Sequence, residues 1–413
     1  MPPFPLRGRG KSDLLATIRR LQESDVDWRS GRVFSQVYFV SDEHEAALLD
    51  AYASAFNLNG LSARAFPSLA QMERDVVEMA ADLFGWPTAM GSLTSGGSES
   101  NLLALKAARD RMKKERPEIS EPEIIVPMSA HPTIGKAAHY LGLRERRVVV
   151  TEGQEADPVA MAMAINTNTI LLVGSAPSWP HGIVDPIDEL GELALREGLL
   201  LHVDACVGGF VLPFARELGR RIRAFDFSVP GVSSISADLH KFGYAAKGAS
   251  LILHREPASY ESQVFDFAEW TGGRYQVATV GGTRPGGAIA ASWFVLNYLG
   301  RSGYLELVDR CLKITDRLID GIRSIPGLYI EGDPQMNLLA FGSRGVRIDS
   351  VAEAMRERGW LVGLQGRPPS SIHLSITPVH EVAAEQFLSD LRGVTEAVAA
   401  GKVKLEVSEA KYN

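Results

Sequence analysis

Lys241 lies in the segment Ser236-Ala237-Asp238-Leu239-His240-Lys241 and runs straight into a turn of small residues, 242–250. A lone lysine is ordinarily a solvated surface charge. Here small neighbours let the backbone approach a ligand closely, and an amine so placed can form a Schiff base with a carbonyl cofactor. Asp204 closes the apolar run 199–204, at the carboxyl end of a strand, where open α/β sheets hold their ligands. A carboxylate there can keep a ring nitrogen protonated. Upstream, Thr94-Ser95-Gly96-Gly97-Ser98-Glu99-Ser100 opens a helix, and its free N–H groups and dipole suit a phosphate at Gly97 and Ser98. Each feature alone has a plainer reading: a surface amine, a capping aspartate, a helix start with Ser98 as N-cap. Together they supply what a pyridoxal phosphate enzyme requires.

Other residues fit the same chemistry. His131 follows the apolar run 124–126, and an imidazole there can stack on a cofactor ring and move protons. His240, beside the lysine, can donate to a cofactor phosphate. His202 reads as a core histidine. The two cysteines, Cys206 and Cys311, are too few for a disulfide framework or a zinc cluster, so buried reduced thiols and no metal site are expected.

The elements that must position these residues fall into three stretches. Residues 1–58 read as an N-terminal arm, with helical spacing at Leu14, Leu15, Ile18 and Leu21 and again at Ala46, Leu48, Leu49, Tyr52 and Phe56, and an extended piece over 31–40. Residues 59–300 alternate helices with short β-rich runs at 123–126, 147–150, 169–174, 199–203, 232–236 and 250–253. Apolar on both faces, these runs predict a mainly parallel sheet covered on each side, an α/β fold. Residues 301–413 change rhythm: a helix over 303–324, strands near 328–330, 337–341, 360–362 and 371–376, then a helix over 380–399 predict a small α+β domain. The tail from 401 is polar and expected to be loosely held.

With 413 residues the chain can bury a large core. Its formal charge of −7 argues against a general nucleic-acid binder. No run of about 18 apolar residues marks a membrane span, and the first residues lack a signal-peptide core, so a cytoplasmic enzyme without integral membrane contact is expected.

The ordered set of motifs resembles the sphingosine-1-phosphate lyase branch of the fold-type I pyridoxal phosphate enzymes, relatives of the group II amino-acid decarboxylases. It spans 27–33, 94–100, 129–131, 180–186, 202–210, 236–250, 282–287 and 369–373. The resemblance implies a mainly parallel seven-stranded sheet, with Lys241 as the cofactor lysine, His131 stacked on the ring and Asp204 at its nitrogen. It makes Gly97, Ser98 and His240 phosphate ligands. Gly282 and Thr283 match a loop that reaches the neighbouring subunit's cofactor phosphate, and Tyr38 matches an arm tyrosine that enters the partner's active site, so a homodimer is implied. Lys247 matches a lysine that meets the substrate phosphate, and the stretch 244–248 favours the lyase branch.

One segment departs from the family. Ser62 stands where the family carries a histidine that helps bind the substrate phosphate, and Arg64 stands where it carries an acidic residue. A guanidinium binds phosphate or carboxylate in two-point fashion, so Arg64 is a candidate replacement. The expected reaction is retro-aldol cleavage of a phosphorylated or otherwise anionic small-molecule amine, a sphingoid base phosphate, to an aldehyde and phosphoethanolamine. Amino-acid decarboxylation and cleavage of a β-hydroxy amino acid remain open alternatives. A non-catalytic interaction module is a different class, and retention of Lys241, Asp204 and His131 argues against it.

Overall fold

The computed structural model describes residues 4–366 and 370–402. Pro369 of the 369–373 motif, the tail beyond 402 and the first three residues lie outside the described residues. The large sheet holds β1 (Met90–Thr94), β2 (Glu123–Pro127), β3 (Arg144–Val148), β4 (Thr169–Ser175), β5 (Leu200–Asp204), β6 (Ser234–Ala237) and β7 (Ser250–His254). Their spatial order is β1-β7-β6-β5-β4-β2-β3. Only β7 runs against its neighbours, so the sheet is mainly parallel, as the doubly apolar runs predict.

Successive residues of each strand feed two cores. Ile124 and Val126 pack with Leu103, Ile134 and Ala137 from the helices Gly97–Glu115 and Pro132–Leu141. Ile125, Leu172, Leu201 and Val203 face the other way, against Val76, Leu190 and Ala194 from the helices Pro67–Leu83 and Ile187–Glu197. This two-sided cover is what a period-2 backbone apolar on both faces requires.

Two strands differ from expectation. β3 begins at Arg144 rather than 147. Its sequence, Arg-Glu-Arg-Arg-Val, carries no apolar run because it is an edge strand paired only with β2, where charge discourages further pairing. β1, at the other edge, is short and contains Gly91, whose Cβ would sit 2.3 Å from the Ile252 carbonyl oxygen; its glycine masks the strand pattern.

A hairpin of β8 (Phe265–Phe267) and β9 (Tyr275–Val277) follows. The helix Gly286–Arg323 then crosses from the large sheet to the small domain, broken at Gly300 (φ 56°, ψ −176°). The small sheet comprises β10 (Leu328–Ile330), β11 (Leu338–Ser343), β12 (Gly363–Gln365) and β13 (Ser371–Ser375), in the order β10-β11-β13-β12 and antiparallel throughout. The strand expected at 360–362 starts three residues later. Trp360 instead fills the core of this domain, its indole donating to Asp390 Oδ2 at 2.9 Å.

The piece expected to be extended over 31–40 is irregular rather than a strand. Its Val33 bridges Leu361, Phe34 inserts beside Trp360 and Phe387, and the chain turns again before the helix Asp42–Ser54. The first helix, Lys11–Gln22, buries none of its residues.

Candidate active site

Parallel strands bring their carboxyl ends to one rim, where Ser175 of β4, Asp204 of β5 and the turn after β6 meet the N-terminus of Gly97–Glu115. Between them lies a cavity of about 420 Å³ lined by Gly97, Ser98, Asn101, His131, Trp179, Asp204, Asp238, His240 and Lys241, among others. Its size suits a small cofactor.

The end of the cavity at this helix N-terminus is built from backbone. The helix starts at Gly97, with Gly96 as its N-cap, two residues earlier than a Ser98 cap would give. A Cβ on Gly97 would fall 2.6 Å from Cys206 Sγ and 2.9 Å from Asp238 Oδ1, so only glycine fits. His240 closes the turn, its Cε1 3.3 Å from where a Gly96 Cβ would be. His240 Nδ1 accepts from the Ala249 N–H at 3.1 Å, which leaves Nε2–H as its donor. Burial pushes its pKa below the ordinary imidazole value.

At the far end Asp204 is buried, yet its carboxyl is held below the usual range. Burial works against the charge, but His131, His202, Lys241 and the Cys206 N–H, 3.1 Å from Oδ1, favour it. An ionised carboxylate at this depth suits a protonated ring nitrogen. His131 caps the helix Pro132–Leu141 and accepts at Nδ1 from the Thr133 N–H at 3.3 Å. Burial lowers its pKa, so it presents a neutral ring.

Lys241 Nζ lies 2.9 Å from Asp238 Oδ2 and 6.0 Å from the centre of the Trp179 ring. Burial opposes its charge, but Asp238 prevails and holds the ammonium well above its ordinary pKa. Tyr38 packs edge-on to Phe242 at 4.9 Å, and Lys247 Nζ stands 4.6 Å from the Tyr38 ring centre. Within its own chain Tyr38 therefore lies beside Lys247 and the turn that carries Lys241. Burial and the nearby Lys241 bring Lys247 down to about 8.

Ser62, Arg64, Gly282 and Thr283 are not in this cavity. Asn59 links two of them: its Nδ2 donates to Thr283 Oγ1 at 3.3 Å and its carbonyl accepts from the Ser62 N–H at 3.4 Å. Arg64 is exposed. Thr283 lines a cavity of about 330 Å³ that shares Ser95, Ser98, Glu99 and Thr133 with the first, and Gly282 lines a third.

Sequence reasoning missed Asn101, Thr133, Trp179 and a role for Asp238. Asn101 sits four residues into the helix from Gly97, on the turn facing Asp204; that spacing was the available signal. His202 is wholly buried, as a core histidine should be, but it belongs to the polar network behind Asp204.

The donors present fit pyridoxal phosphate: a glycine-lined anion cradle, an amine, a buried carboxylate and a neutral imidazole converge on one cavity. Fold and site define a pyridoxal phosphate-dependent lyase of fold-type I. Residues 7–344 match the pyridoxal-dependent decarboxylase conserved domain. A sphingosine-1-phosphate lyase from Oryza sativa subsp. japonica is 42% identical, the match covering 94% of this chain and 73% of that protein. The solved Burkholderia pseudomallei sphingosine-1-phosphate lyase superposes with a TM-score of 0.93 at 36% identity, covering 97% of this chain and 94% of that one. A probable L-tyrosine/L-aspartate decarboxylase from Methanothermobacter thermautotrophicus is 35% identical over 80% of this chain and 88% of that protein. The chain belongs to the pyridoxal-dependent decarboxylase family, on its sphingosine-1-phosphate lyase branch.

Proposed function

We propose that this enzyme cleaves the Cα–Cβ bond of a phosphorylated sphingoid base such as sphingosine-1-phosphate, releasing a long-chain aldehyde and phosphoethanolamine. The observation that carries the reading is the pair Lys247 and Tyr38, set beside Lys241. It offers a cation and a phenol to an anionic group in the electrostatic neighbourhood of Lys241. Similarity to named sphingosine-1-phosphate lyases supports the same substrate.

Bound pyridoxal phosphate supplies an electron sink for the pair left when the bond breaks. Gly97, Ser98 and His240 would hold its phosphate, and Asp204 would keep its ring nitrogen protonated. Tyr38 as its phenolate, or the freed Lys241 as its neutral amine, would take the proton from the substrate β-hydroxyl, and Lys241 would return one to Cα. Trp179 and His131 wall the cavity and restrict water.

The proposal extends to a cytoplasmic homodimer. Leu14, Leu15, Ile18 and Leu21 are exposed along the unpartnered helix Lys11–Gln22, an apolar stripe that a second subunit would cover. Arg64, exposed, would then be available to a neighbouring site. Sedimentation at micromolar concentration should give twice the chain mass; a monomer with full activity would refute shared sites.

The deciding experiment is product analysis of the cofactor-loaded protein given sphingosine-1-phosphate and a panel of amino acids. Aldehyde and phosphoethanolamine, abolished by Lys241→Ala, are expected. Carbon dioxide without aldehyde would assign decarboxylation instead.

A further inference from the structure

We infer that Asn101 is a positioning residue for this site, tying the carboxylate at the cofactor's ring nitrogen to the histidine at its ring face through one fully committed side-chain amide. Asn101 is 1% exposed and makes four hydrogen bonds. Nδ2 donates to Asp204 Oδ2 at 3.0 Å and to Thr133 Oγ1 at 3.2 Å. Oδ1 accepts from Ser236 Oγ at 2.9 Å and from His202 Nε2 at 3.1 Å.

The partners leave no freedom in how this amide points. An ionised carboxylate only accepts, so Nδ2 must face Asp204. Oδ1 then faces His202, which must carry its proton on Nε2 and accept at Nδ1 from the Ser234 hydroxyl, 2.9 Å away. Burial lowers His202 to about 4, which agrees with a neutral ring. On the other branch, Thr133 receives the Asn101 N–H and so turns its own hydroxyl proton to His131 Nδ1 at 2.8 Å. The Thr133 backbone N–H reaches the same nitrogen. His131 therefore carries its proton on Nε2.

The network has a consequence for Asp204. Its direct hydrogen-bond donors are the Asn101 amide and the Cys206 N–H. Both are neutral. They fix the carboxylate's orientation without neutralising it, which leaves its charge for the ring-nitrogen proton. A cation in the place of Asn101 would compete for that charge, and an apolar side chain would leave Asp204 Oδ2, the His202 Nε2–H and the Thr133 hydroxyl each short of a partner. A buried network of this kind is costly to break in part.

The inference rests on membership of the pyridoxal phosphate family and not on the substrate, so its test needs no substrate. The PLP-loaded protein and its Asn101→Leu variant are compared by cofactor dissociation constant and by the pH midpoint of the visible absorption band. Circular dichroism reports folding. The expectation for Asn101→Leu is a cofactor dissociation constant raised by about tenfold and a displaced midpoint, in the range seen when outer partners of a bound group are lost. With an active substrate, kcat should fall while KM stays within about twofold, since Asn101 touches the ring's partners and not the substrate.

Asn101→Asp, the same size, covers the case in which the leucine variant does not fold. It sets a second carboxyl beside Asp204, and because two adjoining carboxylates resist joint ionisation, its midpoint should move by about one unit or more. A folded variant of either kind with the parent's dissociation constant and midpoint would overturn the inference.

Discussion

Lys241 Nζ and Asp238 Oδ2 are 2.9 Å apart, on one turn, with the other Asp238 oxygen buried and without a partner. The contact keeps Lys241, the proposed cofactor lysine, charged in the apoprotein. An ammonium is not a nucleophile, so capture of pyridoxal phosphate by the apoprotein should be slow at neutral pH and quicken as pH rises. Asp238→Asn removes the anion that raises the Lys241 pKa. Uptake at pH 7 should then accelerate by about tenfold for each unit that the pKa falls. Stopped-flow absorption on the apoprotein reads this directly, and an unchanged rate would remove Asp238 from the scheme.

Gly97→Ala should damage the phosphate end selectively. The new methyl would press on Cys206 Sγ and both Asp238 oxygens, at 2.6, 2.9 and 3.0 Å. Overpacking of this order costs about 1–3 kcal/mol. Thermal denaturation should show a lower Tm, and titration should show weaker binding of pyridoxal phosphate. Cofactor affinity equal to the parent's would mean that the cradle lies elsewhere.

Lys247 sets an alkaline limit on recognition of a phosphorylated substrate. Burial, then Lys241, brings its pKa to about 8. The lowered value means that the ammonium is present below about pH 8 and lost above it. kcat/KM for an anionic substrate should therefore decline as pH rises through 8. Lys247→Met should give a low value at pH 7 with this limb absent. A limb that persists in the variant would belong to another group.

The residues proposed for covalent or ionic work, which the structure gathers on one cavity, stood out in the sequence because their types are rare in their surroundings: Lys241 before a run of small residues, Asp204 at the end of an apolar strand, Gly97 at a helix start. The groups that hold them were not. Asn101 looks like any polar residue inside a helix, and only the register of that helix against β5 turns it to Asp204. Asp238 reads as part of the lysine motif; its role comes from the turn that folds Lys241 back over it. β1 was hidden and the start of β3 displaced for the reason edge strands usually are, since one has a glycine at a close backbone crossing and the other is charged.

The core carries its own acid sensitivity, separate from the site. His202, His254 and His373 are buried and neutral, each with a pKa brought by burial to about 4. His254 Nε2 pairs with Gln263 Oε1 at 2.7 Å, and His373 Nδ1 donates to the Pro180 carbonyl at 2.7 Å. In the unfolded chain each returns to about 6.5. Between pH 4 and 6.5 the unfolded state thus binds more protons than the folded one, and stability falls as pH falls. Asp185 works in the opposite sense. Burial raises it to about 7, so the folded chain keeps a proton that the unfolded chain loses above about pH 4. Three protons against one leave a net of about two, or on the order of 3 kcal/mol of stability per pH unit through the middle of the window. Tm measured from pH 7 to pH 4.5 should drop steeply. His254→Gln, which cannot take up a proton in either state, should be less stable at pH 7 but lose less on acidification. A variant whose Tm falls as steeply as the parent's would show that His254 is not among the groups that drive acid unfolding.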